Sequence, residues 1–274
     1  MSVSIFMSPA KRSVLFVVIA IGEKYKAEYL ELFHASHQRY CLKHGYDFFL
    51  VEDFIKSGET DKSLISLQKI LVCSLDQAKE YDLVVFMDSD ILINHRIAPP
   101  IEEYIGDSEY VYLVDEYSQP SKEGRLHINK KMGWEDSAAA YYKLCDFKIE
   151  TETVLNTGIM ILNPNIHASV CERIYQDGVR HGRGHPRGFH YEQSLIGFTF
   201  QKIGLYRKLD NKWNAIFALH LFFNKRWFKS KKKLFLEFYK QNYFIHFAGS
   251  LHKGLEKTIK SLSLEDDTNT KKID

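Results

Sequence analysis

The stretch that decides the fold is LVVFMDSDIL, which occupies residues 83–92. Five apolar residues run directly into Asp88 and Asp90, with only Ser89 between the two acids. At the end of a strand, residues two apart face the same way, so both carboxylates can point at one place. Two buried like charges are costly unless a positive group compensates them, and a divalent cation does this well. Oxygen ligands suit Mg²⁺ or Mn²⁺, ions that commonly bridge to phosphate oxygens.

The DxD pattern alone is a weak signal, because one aspartate can cap a turn while the other stays in solvent. Its surroundings strengthen it, since strands and helices are predicted to alternate up to this point. They are a strand at 14–19, a helix through 27–41 that Gly45 ends, a strand at 46–52, a helical face over 61–80 and the strand at 83–87. This order predicts a mainly parallel sheet covered by helices. Ligands of such sheets bind beyond the carboxyl ends of the strands, where the two aspartates lie.

The second half of the chain is less regular. Strands are predicted at 110–116 and 243–247, and helices at 166–179 and from 191 onward. Residues 117–152 are polar, which predicts a long loop or a small subdomain where a variable partner would bind. The segment VLNTGIMILNP at 154–164 is interpreted as a strand with a turn inside it.

Composition limits the classes of function. The net charge of the 274 residues is only +2 at pH 7, which argues against a dedicated nucleic-acid-binding protein. The four cysteines are far apart and predict free thiols in a reducing compartment. No run approaches the roughly 20 apolar residues that span a membrane, so a cytoplasmic protein is predicted. The basic and aromatic residues at 224–238 predict either a peripheral contact with an anionic membrane or a helix whose aromatic residues pack in the core.

A candidate third metal ligand lies near the C-terminus, in YFIHFAGSLHKG at 243–254. His246 falls inside the predicted strand, and neutral imidazole is a good ligand for Mn²⁺. Gly249 and Ser250 follow it and can present backbone N–H groups to phosphate, while Lys253 can supply positive charge. A lone histidine in a strand is more often a core residue, but this neighbourhood favours a ligand.

Five segments in order resemble one family of enzymes. They are SLQKILVCSLDQAKEYDLVVFMDSDILI, LNTGIMILNP, YEQSLIGF, LDNKWNAI and HFAGSLHK, and the likeness extends from about residue 14 to 253. The chain resembles GT-A glycosyltransferases of the glycogenin and bacterial lipopolysaccharide galactosyltransferase type, and the related GMA12/MNN10 group. The resemblance implies a Rossmann-like α/β fold in a single catalytic domain over 1–257. Its donor half would cover about 12–116 and its acceptor half about 117–257, with a charged tail at 258–274.

The resemblance also assigns roles to residues of this sequence. The implied metal ligands are Asp88, Asp90 and His246. The implied catalytic residues are Lys69, Asn156 and Glu192. The residues implied to contact the nucleotide sugar are Ala20, Ile21, Tyr25, Lys69, Ser89, Gln193, Gly249, His252 and Lys253. Two positions depart from the family pattern, because Glu192 replaces an aspartate and His252 replaces a lysine that here comes one residue later.

The implied reaction moves a hexose or pentose from a UDP-sugar to an acceptor hydroxyl, with Mn²⁺ or Mg²⁺ and with retention of configuration. The acceptor would be a glycan, a lipid-linked glycan or a protein. Inversion stays an alternative, with Asp115 and Glu116 as candidate bases. The His- and Arg-rich residues 180–190 predict either a site for an anionic acceptor or a solvated loop.

Two other functions fit part of the pattern. A haloacid-dehalogenase-like phosphohydrolase also places DxD after an apolar strand, but there the motif normally opens the fold. A non-catalytic module that binds nucleotide sugars would not need Lys69, Glu192 and three metal ligands together.

Overall fold

The structure is a computed structural model that describes residues 13–181, 191–224 and 230–265. The strands within these ranges are β1 (Val14–Ile19), β2 (Asp47–Val51), β3 (Leu83–Met87), β4 (Ile91–Ile93), β5 (Val111–Asp115), β6 (Leu155–Leu162), β7 (Tyr206–Leu209), β8 (Ala215–Ile216) and β9 (Phe244–His246). The α-helices there are α1 (Glu23–Leu32), α2 (His34–His44), α3 (Lys122–Met132), α4 (Ala138–Lys143), α5 (Pro164–His181), α6 (Tyr191–Lys202), α7 (Phe217–Asn224), α8 (Lys231–Gln241) and α9 (Glu256–Leu264).

Six strands form the central sheet, in the order β2–β1–β3–β6–β5–β7. Five of them run in one direction and β6 runs in the opposite one. Strands β1 and β3 are apolar and almost wholly buried, as is usual for central strands covered on both faces. The predicted α/β fold with a mainly parallel central sheet is confirmed.

Helices cover both faces of this sheet. Along β1, Phe16 and Val18 belong to a core that also contains residues of α2, α8 and α9, whereas Leu15 and Val17 belong to a second core with residues of α5 and α6. Successive side chains of a strand point to opposite faces, so the same strand contributes to two cores. Helix α9, which includes the first part of the predicted tail, buries Ile259 in the first of these cores.

A second sheet of three strands, in the order β4–β9–β8, begins where β3 ends. Only three residues, Asp88, Ser89 and Asp90, separate β3 from β4. Strand β9 pairs antiparallel with β4 and parallel with β8. The topology therefore brings the C-terminal region of the chain against the end of β3.

The helical face predicted over residues 61–80 is not one α-helix. It consists of three 3-10 segments, Lys62–Leu64, Ser66–Ser74 and Gln77–Glu80. The buried residues Leu64, Leu67 and Ile70 are each three apart, a spacing that matches the 3.0 residues per turn of a 3-10 helix. The prediction of a buried helical stretch was right, but its helix type was wrong.

The region after β5 is more ordered than its polarity suggests. It contains α3 and α4, and each begins with a serine whose hydroxyl accepts a hydrogen bond from the first turn: Ser121 from Gly124 N and Ser137 from Ala140 N. Tyr141 and Tyr142 of α4 lie in a small core of their own. Of the two alternatives, a small subdomain describes the region better than a long loop.

The turn predicted inside residues 154–164 is absent. Strand β6 runs through eight buried residues and pairs with β3 and β5 on its two sides. Within it, Gly158 N–H donates to the Asn156 side chain. The irregularity of this strand is a register shift in its pairing with β5, between the pairs Tyr112–Ile161 and Val114–Asn156.

The structure bears on the predictions about membrane contact and about the cysteines. In the described ranges no helix combines the length and the apolar content that a membrane crossing requires. In α8, Leu234, Phe235 and Phe238 are buried in the core, which fits the alternative of a helix with one basic face. Residues 225–229 lie outside the described residues. All four cysteines are free thiols, as predicted.

Candidate active site

Three predicted metal ligands meet at the end of β3. His246 Nε2 lies 3.3 Å from Asp90 Oδ1 and 3.8 Å from Asp88 Oδ2. One ligand atom from each of the three residues lies within 4.8 Å of the other two. Two carboxylates and one imidazole are a suitable donor set for Mn²⁺, and the arrangement fits a divalent ion.

Backbone pairing positions these ligands. Ile91 is opposite His246 in the β4–β9 ladder, and Phe247 N–H donates to Asp90 O at 3.1 Å. Ser89 and Asp90 form a turn, so strand alternation alone does not explain why the carboxylates converge. The turn between two sheets aims Asp90 at His246, while Asp88 stays beside the end of β3.

Gly158 of β6 makes room for the imidazole. Its carbonyl accepts a hydrogen bond from Asp88 N at 2.8 Å, which holds β6 against the ligand turn. A Cβ atom on Gly158 would lie 2.5 Å from His246 Cε1 and 2.6 Å from His246 Nδ1. Only glycine permits this close approach of backbone and ring.

Lys69 lies between two acids of the site. Its Nζ is 3.0 Å from Asp88 Oδ1 and 4.0 Å from Glu192 Oε1. Burial alone would lower the pKa of Lys69, but the Asp88 and Glu192 carboxylates outweigh burial and raise it. Lys69 therefore stays charged and links the ligand cluster to Glu192, which is buried in the first turn of α6.

Asp90 and His246 lie 3.3 Å apart, and each shifts the pKa of the other. Burial would raise the pKa of the Asp90 carboxyl, but the charges of His246 and Lys69 outweigh it and lower that pKa. Burial would lower the pKa of His246, but Asp90 and Asp88 outweigh it and raise that pKa. The centre of the cluster is thus a place where positive charge is stabilised.

A network of carboxamides lies behind the cluster. Asn156 Nδ2 donates to Gln193 Oε1 at 3.1 Å and to Glu116 Oε2 at 3.0 Å. Asn214 Nδ2 donates to Asn156 Oδ1 at 2.7 Å, and Asn214 Oδ1 lies 3.0 Å from His246 Nδ1. Two predicted site residues, Asn156 and Gln193, are therefore joined to the metal cluster through Asn214.

The two acids considered as alternative bases have other partners. Glu116 Oε1 accepts from Arg125 at 2.9 Å, and Glu116 Oε2 accepts from Asn156 and Gln193. Burial would raise the pKa of Glu116, but the Arg125 charge and the amide hydrogen bonds hold it below its usual value. Asp115 Oδ1 accepts from two backbone amides, and burial raises the pKa of its carboxyl.

Sequence reasoning assigned no role to Arg125, Tyr141 and Asn214. Tyr141 OH accepts from Gln193 Nε2 at 3.2 Å and from Ser194 Oγ at 3.0 Å. Asn214 lies in the recognised segment LDNKWNAI, which offered a signal for it. Arg125 and Tyr141 fall in the polar region 117–152, and no spacing there marks them.

The residues predicted to contact phosphate are placed differently from one another. Gly249 adopts a left-handed conformation with φ 76° just after β9. His252 is buried, with Nε2 3.2 Å from Glu28 Oε1 and its ring edge-on to Phe33. Lys253 is exposed, and its carbonyl accepts from Lys231. The described contacts of the His252 side chain are thus with Glu28, Phe33 and Phe247 and not with the three ligands.

The residues predicted to contact the nucleobase follow β1, the neighbour of β3 in the sheet. Ala20 is buried and its N–H donates to Val51 O at 2.9 Å. Ile21 is half-buried, and Tyr25 in the first turns of α1 is 66% exposed. Because β1 and β3 are parallel neighbours, these residues lie at the same edge of the sheet as Asp88.

The described part of the His- and Arg-rich segment is the end of α5. Arg180 at the end of α5 is exposed and lies 3.8 Å from Asp177. Residues 182–190 and the side chain of His181 lie outside the described residues.

One comparison with known proteins identifies a family. Residues 2–253 match the family model "Glycosyl transferase family 8". A search of curated proteins found no match. Solved structures with the same fold include a glycosyltransferase involved in the glycosylation of the major capsid of PBCV-1, with TM-score 0.56, 16% identity, 90% coverage of this chain and 98% of that chain.

Two further solved structures are similar. The galactosyltransferase LgtC, in complex with donor and acceptor sugar analogs, has TM-score 0.50, 12% identity, 91% coverage of this chain and 95% of that chain. The bifunctional glycosyltransferase WbbM has TM-score 0.56, 16% identity and 89% coverage of this chain, which spans only 47% of WbbM. At these identities the likeness establishes the GT-A fold.

Proposed function

The chain belongs to glycosyl transferase family 8 and is a glycosyltransferase, and on this premise we propose that it moves a hexose or pentose from a UDP-sugar to an acceptor hydroxyl. The acceptor class is a glycan, a glycolipid or a glycoprotein. The observation that carries the proposal is the cluster of Asp88, Asp90 and His246, with Lys69 between Asp88 and Glu192. Neither phosphohydrolase chemistry nor a purely binding role is consistent with this family.

The cluster is proposed to hold Mn²⁺ or Mg²⁺. A bound ion supplies Lewis-acid stabilisation of the charge that develops on the departing diphosphate. Lys69 contributes a fixed positive charge at the same place, because its ammonium group is buried and paired with carboxylates. Ser89, in the turn between the two aspartates, is proposed to bind the donor through its backbone.

Glu192 is proposed to act at the sugar. The anomeric carbon gains positive charge as its bond to the diphosphate oxygen breaks, and a buried carboxylate close to it stabilises that charge. Lys69 holds Glu192 at 4.0 Å and thereby keeps it near the metal cluster. Asn156 and Gln193 are proposed to orient the donor sugar through the carboxamide network beside Glu192.

Retention of configuration is supported by the hydrogen bonds that Glu116 and Asp115, the candidate bases of an inverting reaction, already accept. An inverting enzyme needs a carboxylate that is free to accept the proton of the acceptor hydroxyl. Both oxygens of Glu116 already accept hydrogen bonds, and Asp115 Oδ1 accepts from Tyr117 N and Val154 N. Glu192 is then the acid best placed to act at the sugar.

The nucleotide is proposed to extend from the cluster toward the end of β1. Ala20, Ile21 and Tyr25 would contact uracil, with the exposed Tyr25 ring as the stacking surface. Gly249, His252 and Lys253 would contact the phosphates from the turn after β9. The contact of His252 Nε2 with Glu28 Oε1, at 3.2 Å, favours Lys253 for direct phosphate contact.

A donor-release assay tests the proposal without knowledge of the acceptor. The purified protein is incubated with Mn²⁺ and a panel of UDP- and GDP-sugars, and nucleotide release is followed. We expect release from one UDP-sugar that depends on metal and is lost in Asp90→Ala. The control Asp76→Ala removes a carboxylate that is 93% exposed and should release nucleotide as the wild type does.

If no nucleotide is released, calorimetry with UDP and Mn²⁺ shows whether the protein binds UDP. Absence of both nucleotide release and UDP binding would overturn the proposed donor site. If UDP binds but no donor is cleaved, cleavage of the donor requires the acceptor, and the same variants are then compared with candidate acceptors present.

A further inference from the structure

The hydrogen bonds behind the metal cluster have only one consistent direction. Gly158 N–H is a backbone donor, and it lies 2.9 Å from Asn156 Oδ1, so Asn156 must present its oxygen on this side. Its Nδ2 then faces Glu116 Oε2, at 3.0 Å, and an ionised carboxylate only accepts. The orientation of the Asn156 carboxamide is therefore set from both ends.

Asn214 takes its orientation from Asn156. Its Nδ2 lies 2.7 Å from Asn156 Oδ1, an acceptor, so the amino group of Asn214 points there. The oxygen of Asn214 is left to face His246 Nδ1 at 3.0 Å. Because a carboxamide oxygen only accepts, His246 Nδ1 must carry the proton and donate it.

The proton on Nδ1 determines what the other ring nitrogen can do. In the neutral imidazole, the unprotonated Nε2 then has its lone pair available, and this nitrogen lies 3.3 Å from Asp90 Oδ1. Three electron-rich atoms of Asp88, Asp90 and His246 thus surround one point, as a metal ion requires. The opposite tautomer would place an N–H group where the ion binds.

We propose that Asn214 is a positioning residue that holds His246 in its metal-binding tautomer, with its own orientation transmitted from Glu116 through Asn156. Asn214 is fully buried, as a positioning role requires. Its backbone is also held, because Gln119 Nε2 donates to Asn214 O and Gln119 Oε1 accepts from Ile216 N, both at 2.9 Å. The inference rests on the proposed function only in that Nε2 is taken to be a ligand of a bound metal ion.

The tautomer can be measured in the metal-free protein, without substrate or turnover. Long-range ¹H–¹⁵N correlations of the ring, recorded at a pH that keeps it neutral, distinguish a proton on Nδ1 from one on Nε2. We expect the proton on Nδ1 in the wild type and a shift of the population toward Nε2 in Asn214→Leu. Calorimetry should show Mn²⁺ affinity roughly 10–100-fold weaker in that variant.

Asn94→Leu is the matched control. Asn94 is also a buried asparagine, and its Nδ2 donates to Tyr239 O at 2.8 Å, away from the cluster. We expect this variant to lose stability while the His246 tautomer and the Mn²⁺ affinity remain those of the wild type. If the role of Asn214 were merely structural, Asn214→Leu and Asn94→Leu would have the same His246 tautomer and the same Mn²⁺ affinity.

A second variant tests whether Asn156 sets the orientation of Asn214. In Asn156→Leu, Asn214 is free to rotate its carboxamide, so the proton on Nδ1 should be lost although Asn214 is intact. The inference is overturned if the wild-type ring carries its proton on Nε2, or if Asn214→Leu and Asn156→Leu both retain the proton on Nδ1. Failure of the wild type to bind Mn²⁺ would instead contradict the proposed metal, and the tautomer measurement would still decide the role of Asn214.

Discussion

Gly158 shows how far the absence of one side chain determines the candidate site. Its Cβ position lies within 2.6 Å of two atoms of the His246 ring, a separation at which something must move. We expect Gly158→Ala to push the imidazole away from Asp90 and to weaken Mn²⁺ binding by about tenfold or more. The strain should also cost about 1–3 kcal/mol of the free energy of unfolding. Calorimetry and urea unfolding measure the two effects.

Gly106→Ala is the control for this substitution. A Cβ atom there meets only the Tyr112 hydroxyl, at 3.6 Å, which is an ordinary van der Waals distance. Mn²⁺ binding should be unchanged in this variant. Equal Mn²⁺ affinity in both alanine variants would show that the His246 ring is not held where the structure places it.

The residues of the site differ in how visible they are in the sequence. Asp88 and Asp90 follow a buried strand directly, and His246 lies in a short motif with glycine and lysine, so local pattern identifies all three. Asn214 and Glu116 act through hydrogen bonds to residues distant in the chain. The segment LDNKWNAI gave a signal for Asn214, and Glu116 was predicted only as an alternative base. Their hydrogen bonds to Asn156 depend on the fold, and nothing in the sequence indicates them.

At the scale of elements, buried strands could be predicted and helices with few apolar residues could not. Strands β1 and β3 have the predicted bounds because each is a continuous apolar run, which for β3 lies between Asp82 and Asp88. Helix α3 was missed since its sequence, KEGRLHINKKM, has little apolar periodicity. Its signals are at its ends, where Ser121 caps the first turn and Gly133 ends the helix in a left-handed conformation with φ 68°.

Arg125 joins α3 to the rest of the fold. Its guanidinium contacts the Tyr117 ring at 4.4 Å and pairs with Glu116 at 2.9 Å, and its side chain is only 5% exposed. Arg125→Met should leave Glu116 charged and unpaired, at a cost of about 3–5 kcal/mol in the free energy of unfolding. The double variant Glu116→Gln with Arg125→Met should recover part of this loss. Urea unfolding measures both.

Arg173→Met, at an exposed position of α5, provides the comparison for lost charge alone. It should change the free energy of unfolding by less than about 0.5 kcal/mol. A loss this small in Arg125→Met would mean that α3 does not depend on the buried ion pair.

For the whole molecule, the candidate site is where two sheets meet. The larger sheet supplies Asp88 from the end of β3 and Asn156 from β6, and the smaller sheet supplies His246 from β9. The parallel alternation of the first half predicts which edge binds the ligand. The antiparallel insertion of β6 between β3 and β5 is a long-range pairing, and neither periodicity nor composition indicates it.

Buried neutral histidines should make the whole molecule sensitive to acid, and His37 is the clearest case. Burial lowers the pKa of His37 from 6.5 to about 3, and both ring nitrogens have partners, with Nε2 2.7 Å from Ile91 O and Nδ1 3.1 Å from Tyr29 OH. Between these two pKa values the unfolded chain binds the extra proton. The stability contributed by neutral His37 is therefore present above about pH 6.5 and is lost as the pH falls toward 3.

The loss should approach about 1.4 kcal/mol per pH unit for one histidine. We expect His37→Gln to be less stable at neutral pH but to lose less stability than the wild type between about pH 6.5 and 5, a window above most carboxyl titrations. His127→Gln, at an exposed position of α3, should keep the wild-type slope. Urea unfolding at several pH values measures the slopes, and parallel curves for wild type and His37→Gln would show that His37 does not couple folding to acid.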